Sequence, residues 1–147
     1  MRRLALAAAL VLATGCESTP ETTDVVLVAG AHSTTLSVEV ADTAEERARG
    51  LSGRDEVAPD SGMLFRFDGL TTGRFWMKNT RVSLSIAFLD GGGRVLAVRD
   101  TTPCRREPCP LYGAGRPYRT ALEVRRGVFD RLGFGAGDRV RVPPSPD

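Results

Sequence analysis

A chain of 147 residues, 41% hydrophobic and 26% charged, has the apolar content for one domain around a single core, which excludes both a multidomain assembly and a disordered chain. Its 20 basic and 18 acidic residues leave a net charge of +2, too weak a basic field for a general nucleic-acid binder. The many arginines read as a solvated, salt-paired surface.

Residues 1–16 carry Arg2 and Arg3, an apolar run from Leu4 to Ala13, small residues and Cys16. The run is about half the roughly twenty residues that a membrane span needs, and the pattern is that of a cleaved export signal. Ala13-Thr14-Gly15-Cys16 resembles the lipobox of bacterial lipoproteins, in which the cysteine is acylated and becomes the mature N-terminus. Residues 1–15 are therefore expected to be a lipoprotein signal peptide, and Cys16 the lipid anchor of an exported protein of the bacterial cell envelope. Several acyl chains hold such a protein firmly, whereas one holds weakly. Residues 16–24 are rich in Ser, Thr, Pro and Glu and read as a flexible tether. Losing Arg2 and Arg3 makes the mature charge neutral.

The expected β domain spans residues 25–142. Val25–Ala29 is a compact apolar strand, Gly30–Ser33 a turn that takes in His32, and Thr34–Ala41 an alternating, half-buried strand. Residues 42–50 form a short helix with Thr43 and Glu46 as a capping box and Gly50 as its end. Residues 51–61 read as a loop, and 62–67 as a strand with Met63, Phe65 and Phe67 on one face. Strands are expected over 75–80 and 83–89, with Asp90-Gly-Gly-Gly93 turning the chain into 94–98. Residues 101–117 form a long irregular loop. Further strands follow at 118–124 and 139–142, with a helical turn at 128–132 and a disordered tail at 143–147. Many short strands with one or two short helices define a mainly β fold: a compact sandwich-like or barrel-like single domain.

Cys104 and Cys109 lie in the long loop, and in an exported protein two neighbouring cysteines form a disulfide, worth about 2 kcal/mol for so short a loop. Four residues separate them, unlike a redox Cys-x-x-Cys pair, and no second ligand pair accompanies them. With His32 the only histidine, no metal site is expected and no cofactor.

Phe75-Trp-Met-Lys-Asn-Thr80 holds the only Trp and the only Lys of the chain. A compact ammonium differs from a guanidinium in that burial lowers its pKa readily. On a strand, Trp76, Lys78 and Thr80 share one face and Phe75, Met77 and Asn79 the other. Residue types alone favour Trp76 in the core with Lys78 reaching past it to solvent. The alternative is a ligand-binding floor, with a cation–π contact between the two. Glu123, flanked by Leu122 and Val124, is either solvated or paired with Lys78 or an arginine. No Ser-His-Asp set or phosphate-binding glycine loop can be assembled.

In order, Glu45-Glu-Arg-Ala-Arg-Gly-Leu51, Gly62-Met-Leu-Phe65, Phe75-Trp-Met-Lys-Asn-Thr80, Leu122-Glu-Val124 and Gly135-Ala-Gly-Asp138 resemble the bacterial domain-of-unknown-function 192 family across about residues 35–142. The resemblance implies a compact, mainly β domain of sandwich or jelly-roll type. Similar proteins often carry an export signal or lipobox, and some a cysteine pair in the same loop. The family has no established activity, so no reaction is implied. Members commonly read Pro-Leu-Asp where this chain has Ser83-Leu84-Ser85, so a carboxylate is missing at Ser85.

The expected function is a monomeric, lipid-anchored binding module for a small molecule, a glycan or another envelope protein. Trp76, Lys78, Asn79, Thr80 and Glu123 are its candidate ligand-binding residues. The rival readings are an envelope hydrolase using Lys78 and Glu123 as acid and base, ranked lower for want of a nucleophile, and a structural factor of an envelope complex. No catalytic residue is assigned, and the membrane is reached through Cys16.

Overall fold

The computed structural model describes residues 19–144. The expected signal segment 1–15, Cys16 and residues 145–147 of the expected tail lie outside it. The chain forms β1 (Thr22–Ala29), β2 (His32–Ala41), α1 (Ala44–Arg49), β3 (Ser61–Thr71), β4 (Phe75–Trp76), β5 (Leu84–Leu89), β6 (Val95–Asp100), β7 (Leu111–Tyr112), β8 (Tyr118–Arg125), α2 (Val128–Leu132) and β9 (Arg139–Arg141). Seven strands build one curled sheet in the order β6-β5-β8-β3-β2-β1-β9, and β4 pairs with β7 in a separate ribbon. The mainly β fold read from the sequence is the fold observed, as a half-barrel.

Local chemistry accounts for the elements. β1 and β2 form a hairpin whose turn is eased by Gly30 at φ +57°. β1 starts at Thr22, three residues inside the expected tether, because the longer β2 extends the antiparallel ladder down to the Thr22–Glu39 pair. β2 and β3 run parallel, which requires a crossover, and α1 supplies it. The Thr43 side chain accepts from the Glu46 amide at 3.2 Å, and the Glu46 carboxylate accepts from the Thr43 amide at 3.1 Å. These bonds hold the Glu46 carboxyl below its ordinary pKa. Asp90 Oδ1 accepts from the amides of Gly92 and Arg94 at 2.8 and 2.9 Å, which shapes the β5–β6 turn.

Alternation along the strands divides the apolar residues between two cores. Val25, Leu27, Leu36, Val38, Leu64, Ala87, Leu89, Val95, Leu122, Val124 and Val140 form one with α2 and its neighbour, from Val128, Phe129 and Phe134. All seven sheet strands contribute, so this core fills the inside of the curl. A bridge between Arg94 and Arg139 stitches the two edges of the sheet at one corner. On the opposite face, Met63, Phe65, Ile86, Phe88, Ala97, Ala121 and Tyr118 are covered by the loops that bring Leu51, Val57, Met77 and Ala114.

The expected strand over 75–80 is reduced to Phe75–Trp76. Beyond Trp76 the backbone bonds to loops instead of a strand: Met77 O accepts from Thr80 and Cys104 at 3.2 and 3.3 Å, and Asn79 O from Gly53 at 2.8 Å. Asn79 sits at φ +57°, which ends any extended run. Cys104 and Cys109 are joined as a disulfide. In the described part of the expected tail, the Pro143 carbonyl accepts from Arg66 Nη2 at 2.8 Å.

Candidate functional site

The loop-covered face of the sheet is incompletely covered. A pocket of about 330 Å³ opens there between the end of α1 and the following turn, β3, the loop leading into β4, and β8. Phe65, Phe67, Phe75, Trp76 and Tyr118 give its walls, Arg47, Arg49 and Arg74 border it, and Thr80 and Glu123 complete its lining.

Each wall follows from local structure. α1 ends at Gly50, whose φ of +49° turns the chain so that its backbone lies against the Phe65 ring. Arg47 at the end of α1 donates to Arg66 O at 2.8 Å and to Asp42 O, and its guanidinium lies 5.1 Å from the centre of the Phe67 ring. The aromatics meet edge to face: Phe65 with Phe75 at 4.9 Å, Phe75 with Phe88 at 5.8 Å, Phe88 with Tyr118 at 4.9 Å and Phe67 with Tyr118 at 5.6 Å. The Tyr118 hydroxyl donates to Gly73 O at 3.0 Å, fixing the loop before β4, and burial pushes its pKa up to about 12.

Glu123 lies in the middle of β8, paired across the sheet with Met63 of β3 and Ile86 of β5. It is 4% exposed. Its carboxyl has no hydrogen bond or ion pair among the described residues, so the solvated and the paired readings both give way to a third: a buried carboxyl opening on a pocket. Burial pushes its pKa up to about 8, so the group is mostly protonated at neutral pH. It then offers an O–H donor as well as an acceptor to whatever enters.

The five candidate residues are therefore divided. Trp76, Thr80 and Glu123 line one pocket, whereas Lys78 and Asn79 are exposed on the turn beyond it. Trp76 does not pack in the core: it is 56% exposed, while its chain neighbours Phe75 and Met77 turn into the loop-covered core. The Lys78 ammonium sits 5.6 Å from the centre of the Trp76 ring and pairs with Glu107 of the disulfide loop. That pairing holds the Glu107 carboxyl below its ordinary pKa. Ser85, where a carboxylate was missed, is on the sheet face opposite Glu123, next to Val124. Its hydroxyl donates to Asp100 Oδ1 at 2.6 Å, so a carboxylate comes from β6 instead. Among the described residues, no three His, Cys, Asp or Glu side chains are grouped as metal ligands, and no helix is long and apolar enough to cross a membrane.

Sequence reasoning marked Trp76 but missed the other aromatic walls, Phe65, Phe67, Phe75 and Tyr118, and the arginines. The alternation of Met63, Phe65 and Phe67 marked a buried face, but nothing local marks that face as partly open.

Fold and site together define a curled-sheet β domain with an aromatic-walled pocket over a buried carboxyl. Residues 25–142 match DUF192, described as an uncharacterised ACR, and the chain belongs to that family. No curated protein matches it. Among solved structures it is similar to a protein of Sinorhizobium meliloti 1021 described as a candidate transcription regulator, with a TM-score of 0.78 and 31% identity, over 85% of this chain and 96% of that one. It is also similar to a protein of unknown function from Novosphingobium aromaticivorans DSM 12444, with a TM-score of 0.77 and 28% identity, over 92% and 94%.

Proposed function

We propose that this DUF192 protein is a lipid-anchored envelope protein whose pocket binds a small uncharged molecule. The observation that carries this reading is the buried, largely protonated Glu123 carboxyl, unpartnered within the protein and facing an aromatic-walled cavity. A ligand hydroxyl, amide or carbonyl would meet it, while a flat or apolar face of the ligand lies against Phe65, Phe75 and Trp76. The cavity volume suits a molecule of the size of one sugar ring or a compact aromatic. The lipobox-like Cys16 supplies the envelope address.

The acid–base reading has less support, because Lys78 is engaged by Glu107 and does not line the pocket. The test is to purify the anchored protein from its native envelope and release any bound small molecules for mass spectrometry. Wild type is expected to carry a compound that Trp76→Ala and Glu123→Leu, which removes donor and acceptor alike, lose while remaining folded. Identical, empty spectra from all three would remove the proposal.

A further inference from the structure

A second and larger concavity, about 570 Å³, lies at one end of the curled sheet. Arg66, Arg119, Arg139 and Arg141 line it, together with the Asp90–Gly93 turn. Strand register identifies that end. Leu89 lies across from Thr120, Thr120 from Arg66, and Phe65 from Ala41, while Val40 donates to Glu21 O at 2.8 Å. This row crosses the sheet where β1 begins. β9 runs antiparallel to the second half of β1, from Arg139 across from Val28 to Arg141 across from Val26, and the chain beyond it reaches this end, where Pro143 O accepts from Arg66 Nη2 at 2.8 Å. The arginine-lined mouth and the exit of the N-terminal tether are thus on the same end of the molecule.

The four cations are poorly compensated. Among the described residues none has a carboxylate within ion-pairing distance, as is also true of most arginines elsewhere in the chain. Asp90 is the only acidic side chain lining the groove, and its Oδ1 is taken by two backbone amides. Arg66 Nη2 and Arg139 Nη1 donate to the carbonyls of Pro143 and Gly92, and Arg66 Nη1 is buried with no partner. The lining of the groove thus sets four cations against one carboxylate, a locally positive potential within it.

We propose that this end docks on the phosphate headgroups of an anionic bilayer, orienting the domain on the membrane that anchors it. The choice of a bilayer rests on the anchor reading at Cys16. Five residues separate Cys16 from Thr22, a reach of at most about 20 Å when extended, so the tether would hold the arginine end against the lipid surface. A juxtamembrane arginine at an anionic surface is worth about fivefold in binding. The Glu123 pocket, opening on the sheet face under the loops, would stay accessible from the side.

Residues 19–147 contain the whole family match, 25–142, and every element of the described fold, and circular dichroism checks that they fold as a unit. That unit, which lacks Cys16, is mixed with vesicles of phosphatidylcholine alone or with one third phosphatidylglycerol, and sedimented at low ionic strength. It is expected to pellet only with the anionic vesicles. Arg119→Ala should weaken binding about fivefold, and Arg119→Ala/Arg141→Ala about twenty-fivefold. High salt should abolish it, and Arg105→Ala/Arg106→Ala, in the disulfide loop, should leave it unchanged. Equal binding to neutral vesicles, an unaffected but folded double variant, or an equal loss in the loop variant would overturn the proposal. Tighter binding to a short DNA duplex at the same salt would overturn it in favour of a nucleic-acid site. Acylation of Cys16 is measured separately, so failure of the anchor and failure of the docking surface give different results.

Discussion

At the residue scale, Glu123 has the largest consequence. A carboxyl on an interior strand of a sheet is stripped of most of its water, and the neutral form wins because charge in low dielectric is expensive. In the folded protein its pKa is about 8, against 4.5 for the ordinary value. The folded state therefore holds more protons than the unfolded state between these values. Its stabilising contribution is complete below pH 4.5 and is lost as pH rises through about 8. Urea unfolding is expected to show stability falling over that window, by on the order of 1 kcal/mol per pH unit at most. Glu123→Gln, nearly the same shape but never ionised, should flatten the slope and be the more stable protein at pH 8. A wild-type stability that rises from pH 5 to 8 would contradict the burial argument. Trp76 makes the complementary point: an exposed indole beside a cation adds little to the core, so Trp76→Ala should change the melting temperature by only a few degrees while removing a wall of the pocket.

At the element scale, α1 joins two parallel strands and its C-terminal turn forms one wall of the pocket. A six-residue helix with no buried residue depends on its ends. Thr43→Ala removes one half of the capping box and should cost about 1 kcal/mol, read by denaturant titration. Its effect should reach the site, because Arg47 and Gly50 position the Phe65 and Phe67 side of the pocket. β4 teaches the opposite lesson. Alternation of residues 75–80 looked like a full strand, yet a strand needs a neighbour along its whole length. Only Leu111 and Tyr112 are available as partners, and the backbone beyond Trp76 is claimed by residues 53 and 104.

At the scale of the whole molecule, the seven strands curl until the two edges touch at Arg94 and Arg139. Gly93 sits at that seam with φ +79°, and a Cβ there would fall 2.2 Å from Val140 O. Its amino-acid choice is therefore set by contact between the first and last strands of the sheet. Gly93→Ala should destabilise by 2 kcal/mol or more, roughly, since both backbone strain and a clash with main chain are incurred, and calorimetry would show it as a lower melting temperature. The envelope address is a prediction at the same scale. In the native host, radiolabelled palmitate is expected to enter the wild-type protein and to be absent from Cys16→Ser, with the wild type recovered in membranes.

Much of this protein is local and hence legible from residue order. The period-two alternation outside residues 75–80, the capping box at Thr43 and Glu46, the Asp90 turn and the nearness of Cys104 to Cys109 are short-range features, and each appears where the pattern puts it. The same reading marked Trp76, Thr80 and Glu123, because unusual residue types in apolar surroundings are visible without a fold. What tertiary structure alone decided is which of them meet. A pocket is made by side chains from α1, β3, β4 and β8, far apart in the chain, and no local propensity encodes the gap left between them. The same holds for the sheet face that Ser85 occupies, for the exposure of Trp76, and for four arginines gathered at the end where β1 begins. Each is set by strand order and register, which are long-range pairings paid for by chain closure, while alternation specifies only which side of a strand faces the core.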